Sequence, residues 1–139
     1  MIALSERLCN MAPGNMKRVF YGTSGSDANE TNIKLAWYYH NVRGKPDKKK
    51  LIARQRSYHG ATVMTTGLTG LPVYHGLFDQ PYGPVHHTGA PHYYWGAYDG
   101  ESERDFSKRR AQELEDLILR EGPDTIAAFF GEPALGSGG

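Results

Sequence analysis

Thr23-Ser24-Gly25-Ser26-Asp27-Ala28-Asn29-Glu30-Thr31 sets a turn of small polar residues between a short apolar run, Val19-Phe20-Tyr21, and a long helical pattern. A strand that turns at once into a helix is the repeating step of an α/β fold. The same step builds an anion site. Gly25 lets the backbone approach closely, and the Ser24 and Ser26 hydroxyls donate hydrogen bonds. The first helical turn adds unpaired N–H groups and the positive end of its dipole. Ser, Asp and Asn also cap ordinary helices, so the turn alone does not separate an anion site from a plain cap.

The rest of the chain alternates in the same way. Residues 3–12 are expected to form a short helix ended by Pro13-Gly14, and Lys17 to Tyr21 a strand. Asp27 to Val42 reads as a helix with an apolar stripe of Ile33, Ala36, Trp37 and Tyr39-His40, broken by Gly44-Lys45-Pro46-Asp47. Lys50 to Arg54 is a second strand and Thr62 to Leu68 a short helix. Asp105 to Glu121 is a charged amphipathic helix carrying Leu114, Leu117 and Ile118 on one face, ended by Gly122-Pro123. Thr125 to Phe130 is an apolar run suited to a buried parallel strand. Between Gly70 and Glu101 lie Pro72, Pro81, Pro84 and Pro91 among Gly, Tyr and His, with little periodicity. So long an irregular segment usually carries function or packs on a partner. Strand, helix, strand, helix, strand predicts an α/β fold with a mostly parallel sheet, and places the motifs after strands, where such sheets put their ligands.

Composition narrows the function classes. Lys plus Arg number 16 against 15 for Asp plus Glu, a formal net charge of +1, which points to neither nucleic acid nor a membrane surface. The basic run Lys45 to Lys50 includes Pro46 and Asp47 and reads as a solvated turn. No apolar stretch approaches a membrane span. Met1 to Arg7 lacks the basic segment and apolar core of a signal peptide. The single Cys9 rules out an internal disulfide and suits a reducing compartment, so the expectation is a soluble cytoplasmic protein. The densest histidine group is His86-His87 with His92 and His75. Adjacent histidines on a strand face opposite ways and no Cys or carboxylate pattern completes a site, so no metal is expected. Nine Tyr in 139 residues leave a surplus of aromatic side chains for a pocket or a subunit interface.

Two further segments decide the reading: Ser57-Tyr58-His59-Gly60-Ala61-Thr62 and Phe130-Gly131-Glu132-Pro133-Ala134-Leu135-Gly136-Ser137-Gly138-Gly139. With the Gly25-Ser26 turn, in this order and at these separations, the chain resembles the class III aminotransferases from about Leu4 to its last residue. These are pyridoxal 5′-phosphate enzymes of fold type I. Within them the chain looks most like the enzymes that pair omega-amino acids or simple amines with pyruvate. The resemblance implies that residues 1–139 are part of the fold type I large domain, a mostly parallel sheet with flanking helices.

It also implies roles. Ser24, Gly25 and Ser26 would hold the cofactor phosphate. Asp27 stands where the family commonly has Glu, and a shorter acid in the first helical turn still suits the dipole. Tyr58 would stack on the pyridine ring; read alone it is an ordinary strand-end tyrosine. His59 has two readings, positioning the ring or loop, or bonding a backbone carbonyl. Glu132 would organise the pocket beside the cofactor's phenolic oxygen; read alone it is a surface acid at a strand end. A carboxylate there must be held by hydrogen bonds.

Transamination also needs a lysine that forms the Schiff base and moves the proton, and an acid on the pyridine nitrogen. In the family both lie beyond the position of Gly139. Lys34, Lys45 to Lys50 and Lys108 fall on helices and a charged turn and read as solvated. The resemblance therefore implies an internal piece of an aminotransferase, inactive alone. The longer protein would be a homodimer acting on a small-molecule amino donor and a keto acid acceptor, and the segment Gly70 to Glu101 is a candidate part of its interface. The rival reading is a non-catalytic module that keeps a cofactor- or phosphate-binding half-site.

Overall fold

The computed structural model describes residues 1–79 and 83–139. Pro81, one of the prolines of the irregular segment, lies outside the described residues. The elements are α1 (Ile2–Met11), α2 (Gly25–Val42), β1 (Lys50–Arg54), α3 (Val63–Leu68), β2 (Val85–Thr88), α4 (Tyr93–Gly96), α5 (Glu103–Glu121) and β3 (Ile126–Phe129). Short 3-10 turns at Pro72–Tyr74 and Pro123–Thr125 complete them. The strands lie in the order β2-β1-β3, both pairings parallel. Leu51 stands opposite Val85 on one side and Ala128 on the other.

Side-chain alternation along β1 divides the molecule into layers. Leu51 and Ala53 join Ile33 of α2 and Leu68 of α3 in one buried cluster, with Trp37, Met64, Val85, Ala127, Ala128 and Phe130 packed against it. Ile52, of opposite parity, is also fully buried. Arg54 shares that parity and lines a cavity with Phe106, Arg110 and Leu114 of α5. Helices therefore cover both faces of a parallel sheet, the α/β arrangement expected. Burying Leu51 and Ile52 contributes about 2 kcal/mol each.

α2 starts where Ser24 caps it, its Oγ accepting the Asp27 N–H at 3.1 Å, with Asp27 itself in the first turn. It is locked to the sheet by Trp37 Nε1, which donates to the Lys49 carbonyl at 3.0 Å, and by His40 Nε2, which donates to the Ala127 carbonyl at 2.9 Å. Arg109 of α5 grips the preceding loop. Its Nε and Nη2 donate to the two Glu101 carboxylate oxygens at 2.7 and 2.6 Å, and its guanidinium lies 4.0 Å from the Tyr98 ring centroid.

Two expectations need correction. Lys17 to Tyr21 forms no strand. A strand exists only through a partner's hydrogen bonds, and among the described residues this segment pairs with none of the strands in the order β2-β1-β3. Phe20 is 75% exposed, and Tyr21 instead shares a 3.0 Å hydrogen bond with Ser5 of α1. Conversely, the segment read as irregular from Gly70 to Glu101 contains β2 and the short α4. Val85-His86-His87-Thr88 is too short and too polar to show as a strand in sequence; it is strand because β1 supplies the ladder. The helix expected from Asp105 begins at Glu103, capped by the Ser102 side chain.

Candidate active site

The phosphate-type turn and the Tyr58 segment meet. Ser24, Gly25, Ser26, Asn29, Tyr58, His59 and Gly60 line one cavity of about 290 Å³ at the N-terminus of α2. Among the described residues, no acceptor engages the Gly25 or Ser26 N–H, and a side chain at Gly25 would meet nothing within 4 Å. The mouth of α2 therefore offers free donors and a positive dipole end to an anion.

The Ser26 hydroxyl is oriented by its neighbour. Its Oγ accepts the Ala61 N–H at 3.2 Å, which leaves its own hydrogen available to donate. The close approach behind it requires Gly60. That residue has φ +132°, and a Cβ on it would lie 2.5 Å from both Ser26 Oγ and Thr65 Oγ1.

His59 lines the cavity but is buried. Its backbone N–H donates to Thr69 Oγ1 at 2.9 Å, and its carbonyl accepts from Asn29 Nδ2 at 2.9 Å. Burial pushes the imidazole below its ordinary 6.5, against the opposing pull of the Glu132 carboxylate, so His59 is neutral at neutral pH. Its Nε2 is buried without a hydrogen-bond partner among the described residues. Tyr58 is only partly covered and its ring lies 5.4 Å from that of Tyr74.

Glu132 is absent from this cavity's lining and borders an adjacent one with Arg54, Pro91 and His92. It is nonetheless joined to the first site. Oε1 accepts the Tyr58 N–H at 2.7 Å and Oε2 accepts the Gly136 N–H at 2.9 Å. Arg54 Nη1 donates to the Glu132 carbonyl at 2.9 Å. The carboxylate is held by hydrogen bonds and fixes the backbone at Tyr58.

Sequence reasoning assigned no role to Asn29 or Thr69. Asn29 lay inside the motif read as a phosphate turn, so its position was a signal. Thr69 gave none, since nothing in the sequence shows that it reaches back to His59.

The family model for aminotransferase class-III matches residues 1–139. The chain belongs to the class-III aminotransferase family. It is 58% identical over 136 residues to an uncharacterized aminotransferase of Sinorhizobium fredii, covering 98% of this chain and 29% of that one. It is 54% identical to the diaminobutyrate–2-oxoglutarate transaminase of Halomonas elongata, covering 99% of this chain and 30% of that one. The omega transaminase of Pseudomonas jessenii, solved in complex with PMP, superposes with a TM-score of 0.95 at 53% identity, covering 99% of this chain and 30% of that one. This family member thus spans about 30% of the length of the curated relatives it matches. Among its described residues, no helix is long and apolar enough to cross a membrane.

Proposed function

We propose that this class-III aminotransferase chain supplies the phosphate-holding and ring-facing part of a transaminase site for pyridoxal 5′-phosphate. The observation that carries the reading is the single cavity shared by Ser24, Gly25, Ser26, Tyr58 and His59 at the N-terminus of α2. The free N–H groups and the Ser26 hydroxyl suit a phosphate, Tyr58 suits a flat ring, and the orphaned His59 Nε2 suits a polar ligand atom. The residues present therefore fit the cofactor. When bound it supplies the electron sink for moving an amino group between an amino acid or amine donor and a keto acid such as pyruvate.

In this reading the α2 N-terminus anchors the phosphate, while Tyr58 sets the ring plane and covers one side. His59 stays neutral, and Glu132 holds the Tyr58 backbone in place. Residues 1–139 are then part of the large domain of fold type I. Among the described residues, no lysine lines the cavity. Lys48, Lys49 and Lys50 are engaged with Pro123, Asn41 and Glu121. The family resemblance implies an imine-forming lysine beyond the position of Gly139, and in this reading the catalysis belongs to a longer protein, a cytoplasmic homodimer.

Absorbance titration with pyridoxal 5′-phosphate tests this. Reversible binding by the chain should weaken about tenfold or more in Ser26→Ala and in Tyr58→Ala. Equal binding by wild type and both variants would refute the assignment. Covalent retention at one of the chain's own lysines after borohydride would refute the placement of the imine elsewhere.

A further inference from the structure

Thr69 is fully buried and lies outside the cavity lining, yet its one hydroxyl touches two consecutive residues of the ligand-facing turn. Oγ1 accepts the His59 N–H at 2.9 Å and donates to the Gly60 carbonyl at 2.9 Å. A hydroxyl carries one hydrogen and two lone pairs, so both bonds are satisfied at once. The next residue, Gly70, reinforces the grip. Its N–H donates to the Ser57 carbonyl and its carbonyl accepts from the Arg56 N–H, each at 2.8 Å. A Cβ on Gly70 would collide with the Arg54 carbonyl, so Thr69 is carried to the turn by a backbone approach only glycine permits.

We infer that Thr69 is a positioning residue for the site: its hydroxyl clamps the turn from Tyr58 to Ala61 and so aims the Ser26 hydroxyl at an anionic ligand. The chain of contacts is short. Thr69 fixes the His59 amide and the Gly60 carbonyl. Gly60 rests against Ser26 Oγ, and the Ala61 N–H occupies an Oγ lone pair. With that lone pair engaged, the Ser26 hydrogen is left for the ligand. On the other side the same turn begins at Tyr58, whose N–H is held by Glu132. Removing the Thr69 hydroxyl leaves the His59 N–H and the Gly60 carbonyl buried and unpaired, which the turn relieves by shifting. The inference concerns the cofactor site proposed above and rests on that reading for its ligand.

Two readouts on the full chain test it, with Thr69→Val as the isosteric variant and Thr69→Ser as the one that keeps the hydroxyl. The first is amide hydrogen exchange at His59, which needs no ligand. The second is pyridoxal 5′-phosphate affinity by titration. Thr69→Val should speed His59 exchange and weaken affinity by about tenfold each. Thr69→Ser should return both to within about twofold of wild type. The inference is overturned if His59 keeps its protection in Thr69→Val, if Thr69→Ser fails as badly as Thr69→Val, or if affinity is unchanged while His59 is exposed. Should wild type bind no cofactor while the exchange pattern holds, the clamp stands and the cofactor reading falls.

Discussion

The backbone N–H of Tyr58 donates to Glu132 Oε1 at 2.7 Å, joining the turn after β1 to the turn after β3. The other oxygen of the same carboxylate closes the loop on Gly136. Glu132→Ala strands two N–H groups, while Glu132→Gln keeps one acceptor. The alanine variant should lose about 1–2 kcal/mol of stability and the glutamine variant roughly half of that. Urea denaturation measures both, and an unchanged midpoint in Glu132→Ala would contradict the link.

Gly60→Ala meets two obstacles together. Its backbone sits at φ +132°, and the new methyl would lie 2.5 Å from both the Ser26 and the Thr65 hydroxyl oxygens. The expected loss is about 2–4 kcal/mol, with the turn displaced from Ser26. Thermal melts of the variant check the first part. Loss of pyridoxal 5′-phosphate binding beyond that of Ser26→Ala checks the second.

Glu101 sets an acid limb. The hydrogen bonds from Arg109 hold its carboxyl down at about 2, from an ordinary 4.5. An unfolded chain takes up this proton first as pH falls. The contribution is therefore complete above 4.5 and drains away between 4.5 and about 2. Melting temperatures recorded across that window should fall less steeply in Glu101→Gln than in wild type. Parallel curves would show that the pair adds nothing.

His87 sets a second, milder limb. Burial lowers its imidazole below 6.5, although its Nε2 donates to the Leu68 carbonyl at 3.1 Å. The folded state resists protonation that the unfolded state accepts, so stability declines as pH drops below 6.5. His59, lowered by the same cause, acts in the same direction. His87→Gln should flatten this part of the profile while keeping a donor for Leu68. An unchanged slope would assign the effect to His59.

The legible parts of the fold were those written by local chemistry. Ser24 before a helical stripe, Gly44 after it, and the apolar runs at Lys50–Arg54 and near Ile126–Phe129 carry their own signals, and the elements form within a residue or two of where they read. Lys17 to Tyr21 and Val85–Thr88 failed in opposite directions for one reason. A strand forms only where a neighbouring strand pairs with it, and that pairing is decided by segments far along the chain. The site divides similarly. Gly25, Ser26, Tyr58 and Glu132 stand out as motif residues, and the structure gathers the first three in one cavity and ties the fourth to it. Thr69 and Asn29 act through contacts with the backbone at His59, which no side-chain pattern advertises.

Because β1 pairs in parallel with both neighbours, each partner strand must be reached by a long crossover. Such contacts are the slow ones in folding. The Tyr58–Glu132 bond spans the later crossover, so it closes only after β3 has docked. During refolding, helix signals should therefore recover before ligand capture does. A ligand added at intervals would date the arrival of the last strand.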